Sequence, residues 1–109
     1  MKIKMKLPAP ARSLQTSHPD LWKSFQKLGE QCHKAGPLDE RVRRIVKVAI
    51  ATAAQSEGAV HSAVRNARAA GVSPEEIRHA ILLSLTTIGF PRTMAALSWA
   101  EDLLGKRGR

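Results

Sequence analysis

The sequence contains few of the residues that form disulfides, zinc sites and stacking surfaces. Among 109 residues there are one cysteine (Cys32), no tyrosine and four aromatic residues in all. A single cysteine excludes an internal disulfide and a cysteine-rich zinc site. Because single-stranded nucleic acid stacks its bases on aromatic rings, this composition also argues against such a binding surface. The core must therefore consist of Ala, Leu, Ile and Val side chains.

Long apolar runs are also missing. No segment approaches the ~18 consecutive apolar residues of a membrane-spanning helix. The N-terminal MKIKMKLPAP has no continuous apolar stretch of the kind found in a signal peptide. We therefore expect a cytoplasmic protein with no membrane partner, and its length fits one domain.

Acidic residues are absent from both ends of the chain. The formal net charge of the whole chain is +9, and much of it comes from these ends. Residues 1–12 and 106–109 carry 7 of the 18 basic residues, so the remainder is nearly balanced, with 11 basic and 9 acidic residues. This distribution argues against a nucleic-acid-binding surface on the body. We expect a basic arm or tail over 1–12, a helical domain over 13–104 and a basic tail over 105–109.

The first residues alternate basic and apolar side chains, with Ile3, Met5 and Leu7 on one side of an extended segment. Pro8 and Pro10 are expected to prevent regular structure after it. Two interpretations stay open: a mobile charged tail, and an arm that packs on a neighbouring subunit.

Apolar spacing in the body predicts five helices and no strand. The fourth is apolar on nearly every side from Ile77 to Ile88, which is typical of a helix that also contacts other subunits. The predicted helices run from Asp20 to Gly36, after the cap Asp39, from Glu57 to Gly71, after the cap Ser73, and from Met94 to Leu104.

Two of these helices carry a clear apolar line. The third is expected to bury Val60, Val64 and Ala67. On the second, an apolar stripe is expected from Val42, Ile45, Val46, Ala49, Ile50 and Ala53.

Candidate chemistry centres on Glu57 and His61, which are four residues apart and so share one helix face. A carboxylate can fix the imidazole tautomer and make His61 a general base. The alternative is an ordinary solvent-exposed pair, since Arg65 and Arg68 continue the same face.

The remaining candidates are weaker. Cys32 lies near the C-terminal end of its predicted helix, where the helix dipole disfavours a thiolate, and we expect a partly buried, inert thiol. His18 and His79 have no partner at ligand-like spacing, so we expect no metal and no cofactor.

The segments AGPLDERVRRIVKVAIA, EGAVHSAVRNARAAGVSPEEI and TTIGFPRTMAALSWAEDLL resemble the carboxymuconolactone decarboxylase family, which includes the alkylhydroperoxidase D-like proteins. The resemblance covers roughly residues 18–104. It implies a compact all-α subunit, a bundle of about five helices, that assembles into homotrimers or homohexamers through helical faces.

The resemblance also implies what this chain has lost. Peroxidases of the family use a glutamate, two cysteines and a histidine, and these four places hold, in that order, Arg44, Ser56, Ala59 and Ala63. The dithiol peroxidase (peroxiredoxin-type) reaction therefore has no dithiol here. His61 lies two residues before the family's histidine place, about 200° away around a helix. The motif GAVHS resembles a cysteine-less subgroup in which histidine at this earlier place is usual.

From these residues and the resemblance we expect a small-molecule function at a subunit interface. His61 would be the acid/base, Glu57 would orient it, and Arg44 or Arg65 would bind an anionic substrate. If the protein is an enzyme, a decarboxylase-like or lyase-like reaction is expected. Alternatives are a non-catalytic oligomeric scaffold or binding protein, and a peroxidase that uses Cys32 with an external reductant.

Overall fold

The computed structural model describes residues 7–105, which fall into two compact units, 7–38 and 39–105. The predictions for Ile3, Met5 and the basic residues 106–109 lie outside the described residues. The described part is helical and contains no strand, so the prediction of an all-α fold is confirmed. No described helix is both long and apolar enough to cross a membrane.

The unit 7–38 consists of α1 (Ala9–Ser17) and α2 (Pro19–His33). The expectation that Pro8 and Pro10 prevent regular structure is wrong. Pro8 is the N-cap residue of α1 and Pro10 lies in its first turn, where a proline loses no intrahelical hydrogen bond. As a result α1 continues across residue 12, at which the predicted arm ends.

Helix α2 presents the predicted apolar face, but none of its residues is buried. Leu21, Phe25 and Leu28 are all more than half exposed. The ring of Phe25 lies against that of Trp22, with centroids 6.0 Å apart. The apolar face of α2 is therefore largely exposed among the described residues.

The unit 39–105 contains α3 (Glu40–Ala54), α4 (Glu57–Ala69), α5 (Pro74–Leu82), α6 (Leu85–Ile88) and α7 (Phe90–Leu104). The predicted caps are confirmed. The Asp39 carboxylate accepts a hydrogen bond from the backbone N–H of Val42 at 3.0 Å. Ser73 and Glu76 form a complete capping box at the start of α5, which satisfies two otherwise unpaired backbone donors.

The core lies where α4 packs against α3 and α7. The predicted line Val60, Val64 and Ala67 is confirmed, and each of these residues is fully buried. The buried apolar set is Val48, Ala51, Val60, Ala63, Val64, Ala67, Val72, Ile77, Ala80, Ile81, Ala96, Ala100 and Leu104. It contains no aromatic residue, as the composition predicts.

The stripe predicted for α3 does not all face this core. Val42, Val46 and Ile50 are exposed, and Ile50 retains 56% of its accessible surface. The face that α3 buries consists of Val48, Ala51 and Thr52. Thr52 is accommodated because its hydroxyl donates to the Val48 carbonyl at 2.9 Å, which satisfies the buried polar group.

The fourth predicted helix is interrupted. The prediction of one continuous helix from Ile77 to Ile88 is wrong, because α5 ends at Leu82 and the single-turn α6 begins at Leu85. The backbone N–H of Ser84 bonds to the carbonyl three residues earlier, which tightens the turn. The last helix begins earlier than predicted, at Phe90, because Pro91 fits its first turn.

Candidate functional site

His61 hydrogen-bonds to a residue that lies far away in the sequence. Its ring atom Nε2 is 2.9 Å from the Oδ2 atom of Asp102, 41 residues along the chain. Helix α4 supplies the histidine and α7 supplies the carboxylate. The histidine side chain is 26% exposed and that of Asp102 is 55% exposed, so solvent and small molecules can reach the pair.

Glu57 completes a group of three, which we call the Glu57–His61–Asp102 cluster. One ligand-type atom from each residue lies within 4.8 Å of those of the other two. Glu57 and His61 are brought together by their spacing of four on α4, as predicted. The hydrogen bond of His61 nevertheless goes to Asp102, and the orienting role assigned to Glu57 stays a prediction.

Packing of α7 determines where Asp102 lies. Ala100 and Leu104 on either side of it are buried in the core, so the register of the helix directs position 102 away from the interior. The neighbouring Glu101 accepts two hydrogen bonds from the Arg78 guanidinium, at 2.7 and 3.1 Å. This pair raises the pKa of Arg78 and joins α5 to α7 beside the cluster.

Asp102 is not among the site residues predicted from the sequence. Its only local signal is that Glu101 and Asp102 are the sole charged residues of the predicted fifth helix. Two adjacent carboxylates on an otherwise apolar helix end indicate a polar contact there. Their partners lie on α4 and α5, and helical periodicity within one segment cannot identify them.

The two arginines predicted to bind an anion have different surroundings. Arg65 is half-buried on α4, one turn after His61 and on the same helix face. Arg44 lies on α3, and its Nε atom is 3.6 Å from Glu40 of the same helix. Arg65 therefore lies on the same face of α4 as His61, whereas Arg44 pairs with Glu40 on α3.

Cys32 is exposed, so the expectation of a partly buried thiol is wrong. It lies in the last turn of α2, a helix with no buried residue. The alternative of a reaction at this thiol stays a prediction.

Two of the residues at the positions of the family's peroxidase residues have structural roles in this chain, one as a helix cap and one in the core. Ser56 caps α4 by accepting a hydrogen bond from the backbone N–H of Ala59 at 3.2 Å. Ala63 is buried in the core, so a side chain there would point inward, whereas His61 reaches the surface. The cluster is thus a different constellation from the one that the peroxidases use.

An apolar groove lies elsewhere on the same unit, between α3 and the α5–α6 segment. It has a volume of about 370 Å³. Apart from two hydroxyl-bearing side chains its lining is apolar: Ile45, Val46, Ala49, Ala53, Ala80, Leu83, Ser84, Thr87 and Ile88. None of the three cluster residues lines it.

Comparison with known proteins agrees with the resemblance seen in the sequence. The family model described as carboxymuconolactone decarboxylase matches residues 19–102, which include all of α2 to α6, α7 as far as Asp102, and so all three residues of the cluster. A search among curated proteins found no match.

Proposed function

The chain belongs to the carboxymuconolactone decarboxylase family, and from this premise we propose that it acts on a small anionic molecule by acid–base chemistry at His61. The observation that carries the proposal is the 2.9 Å contact between His61 Nε2 and Asp102 Oδ2. A histidine held by a carboxylate and still open to solvent is the arrangement that proton transfer requires.

The contact assigns a role to each atom. With the proton on Nε2, the imidazole donates to Asp102, and Nδ1 keeps the lone pair that accepts a proton from substrate. Once Nδ1 is protonated, the Asp102 carboxylate stabilises the imidazolium that forms. The same ring then returns its proton to the product. Glu57, with a carboxylate oxygen within 4.8 Å of the other two ligand-type atoms, is assigned the role of orienting the ring.

We assign to Arg65 the binding of the substrate's negative charge. It follows His61 by one helical turn, and its guanidinium can bind a carboxylate through two parallel hydrogen bonds. Arg44 is retained as a second anion-binding candidate, with its ion pair to Glu40 as the competing interaction. The reaction class that we propose is decarboxylase-like or lyase-like.

Assembly into a homotrimer or homohexamer is part of the proposal. Its support is the groove between α3 and α5–α6, which the exposed Leu83 lines, together with the exposed Ile50 on α3 and Leu82 on α5. Exposed apolar surface of this kind is typical of an interface. We expect Leu83→Glu to shift the molecular mass measured by light scattering toward that of the single chain. A wild-type chain that stays monomeric at every concentration would contradict this part alone.

The catalytic proposal is tested by His61→Ala in a screen of lactones, carboxylates and hydroperoxides. We expect turnover to fall by about 10²–10⁴-fold, the usual contribution of a general acid–base group. Asp102→Asn should cause a smaller loss, because the amide still accepts the imidazole N–H without its charge. His79→Ala is the matched control, since His79 is exposed on α5 outside the cluster. Unchanged kinetics in His61→Ala would eliminate the mechanism.

A second candidate is a non-catalytic oligomeric scaffold or binding protein. It is favoured by the residues at the family's peroxidase places, where Ser56 serves as a helix cap and Ala63 as core packing. For this candidate we expect no turnover in the same screen while Leu83→Glu still dissociates the assembly. Genuine turnover that depends on His61 would rule it out.

A further inference from the structure

We propose that the Glu57–His61–Asp102 cluster binds a divalent transition-metal ion of the zinc class. The three side chains come from two helices, are the donor types that such ions prefer, and converge within 4.8 Å. The proposal does not rest on the proposed function, because binding of the ion requires no turnover.

The donor set defines the class of ion. One imidazole nitrogen with two carboxylate oxygens suits zinc, cobalt and similar first-row ions, whereas magnesium and calcium prefer oxygen donors alone. Three protein ligands leave at least one coordination position for water or another molecule. The two carboxylates also neutralise the charge of a divalent ion.

Binding of an ion would change the distances within the cluster, and the carboxylate side chains would make most of the movement. Ligand atoms bonded to one zinc ion at about 2.1 Å lie about 3.4 Å apart in a tetrahedral site. His61 Nε2 and Asp102 Oδ2 are 2.9 Å apart, so these two atoms must separate by roughly half an ångström. Glu57 and Asp102 are both exposed, so their carboxylates can rotate without disturbing the core.

The surroundings hold the donors in register. Val60 and Val64, on the face of α4 next to the cluster, are fully buried, and this fixes the rotation of the helix that carries Glu57 and His61. On α7, Ala100 and Leu104 do the same for Asp102. Both helices belong to one compact unit, so the site is organised before the ion arrives.

The ion and the proton compete for the same nitrogen. With zinc on Nε2, the hydrogen bond from His61 to Asp102 is replaced by two metal–ligand bonds, and affinity falls as the solution is acidified. Occupancy by zinc should therefore inhibit any acid–base turnover that uses His61.

The test is calorimetric titration of the untagged full-length protein with zinc chloride, with Cys32→Ser in every sample to remove the exposed thiol. We expect one ion per chain. Affinity should fall at least tenfold in each of His61→Ala, Glu57→Gln and Asp102→Asn. The matched controls His79→Ala and Glu75→Gln change an exposed histidine and an exposed glutamate on α5 and should leave affinity unchanged. Magnesium chloride should give no saturable binding in the same range.

Cobalt(II) provides a second readout. The bound ion should give the intense visible absorption of a four- or five-coordinate site, and this absorption should disappear in Glu57→Gln. This change is at an exposed residue, so the circular dichroism spectrum of the variant should match that of the parent protein. Equal zinc affinity in all the variants, or no saturable binding by the parent protein, would overturn the proposal. Zinc binding without any turnover would refute the proposed function and leave the metal site standing.

Discussion

Helices α3 and α4 pack against each other, but they differ in how much of their apolar surface the chain itself covers. Helix α4 buries Val60, Val64 and Ala67 completely. Helix α3 buries one narrow face and leaves Val46 and Ile50 exposed beside the apolar groove. The α4 side of the molecule is therefore complete within one chain. The α3 side, which continues into α5 and α6, has apolar surface that the unit 39–105 leaves exposed.

The largest expected effect is a difference in stability between alanine variants at a buried and an exposed residue that lie two positions apart. Ile81→Ala should lower the free energy of unfolding by about 2–5 kcal/mol, because it removes buried methyl groups and leaves a cavity. Leu83→Ala, at a residue that is 66% exposed, should cost at most about 0.5 kcal/mol. Both are measured by urea denaturation at low protein concentration. Equal losses would mean that Leu83 is already covered in solution.

A smaller effect is expected at the end of α4. Gly71 has a φ of +89°, a backbone conformation that costs an L-residue about 1–2 kcal/mol. No atom would meet an added Cβ within 4 Å, so the loss in Gly71→Ala should be conformational alone. Gly58→Ala, the same change in the first turn of α4, should be neutral or stabilising. A Gly71→Ala variant as stable as the wild type would contradict the expected conformational cost of an alanine at this φ.

The end of α3 also has a residue with a positive φ, but this residue is not glycine, and hydrogen bonds from its own side chain stabilise the left-handed conformation. Gln55 has a φ of 53°, and its amide donates to the carbonyls of Thr52 and Arg92, at 3.0 and 2.9 Å. In Gln55→Gly the relief of strain should offset much of the lost hydrogen bonding. Its stability change should therefore be smaller than that of Gly71→Ala in the same assay.

The smallest effect concerns the polar edge between α3 and α5. The backbone N–H of Ser73, and then Arg41, lower the pKa of Glu76 below its usual value. A lowered carboxyl pKa contributes stability above the usual Glu range, and this contribution is lost as the pH falls through the lowered value. Glu76→Gln keeps the capping geometry without the charge. It should be less stable than wild type at neutral pH, and the difference should disappear in acid.

The two causes can be separated in the same denaturation series. Arg41→Gln should remove only part of the pH dependence, because the bond from Ser73 remains. A Glu76→Gln variant whose stability relative to wild type does not change with pH would contradict the assignment.

Much of the helical layout could be predicted from local signals. Asp39, Ser73 and Gly71 mark helix ends through side-chain capping and a positive φ, and both depend on only a few neighbouring residues. Prolines misled the prediction at α1, because the same residue that ends one helix begins another.

The burial of α3 and the composition of the site could not be predicted in this way. An apolar stripe shows which side of a helix avoids water, not whether its own chain or a second copy covers it. The pair Glu57 and His61 follows from a spacing of four, but Asp102 joins them only through the packing of α7 on α4. The exposure of Cys32 likewise depends on what α2 contacts, which its own sequence does not state.

The contact between His61 and Asp102 has a consequence for the order of events during synthesis. Helix α4 is synthesised before α7, so Glu57 and His61 are already part of the chain before Asp102, 41 residues later than His61, is added. The cluster can form only when the last helix docks, which makes it a marker of completed folding. In a refolding experiment, zinc affinity should accordingly appear with the final kinetic phase and not with early helix formation.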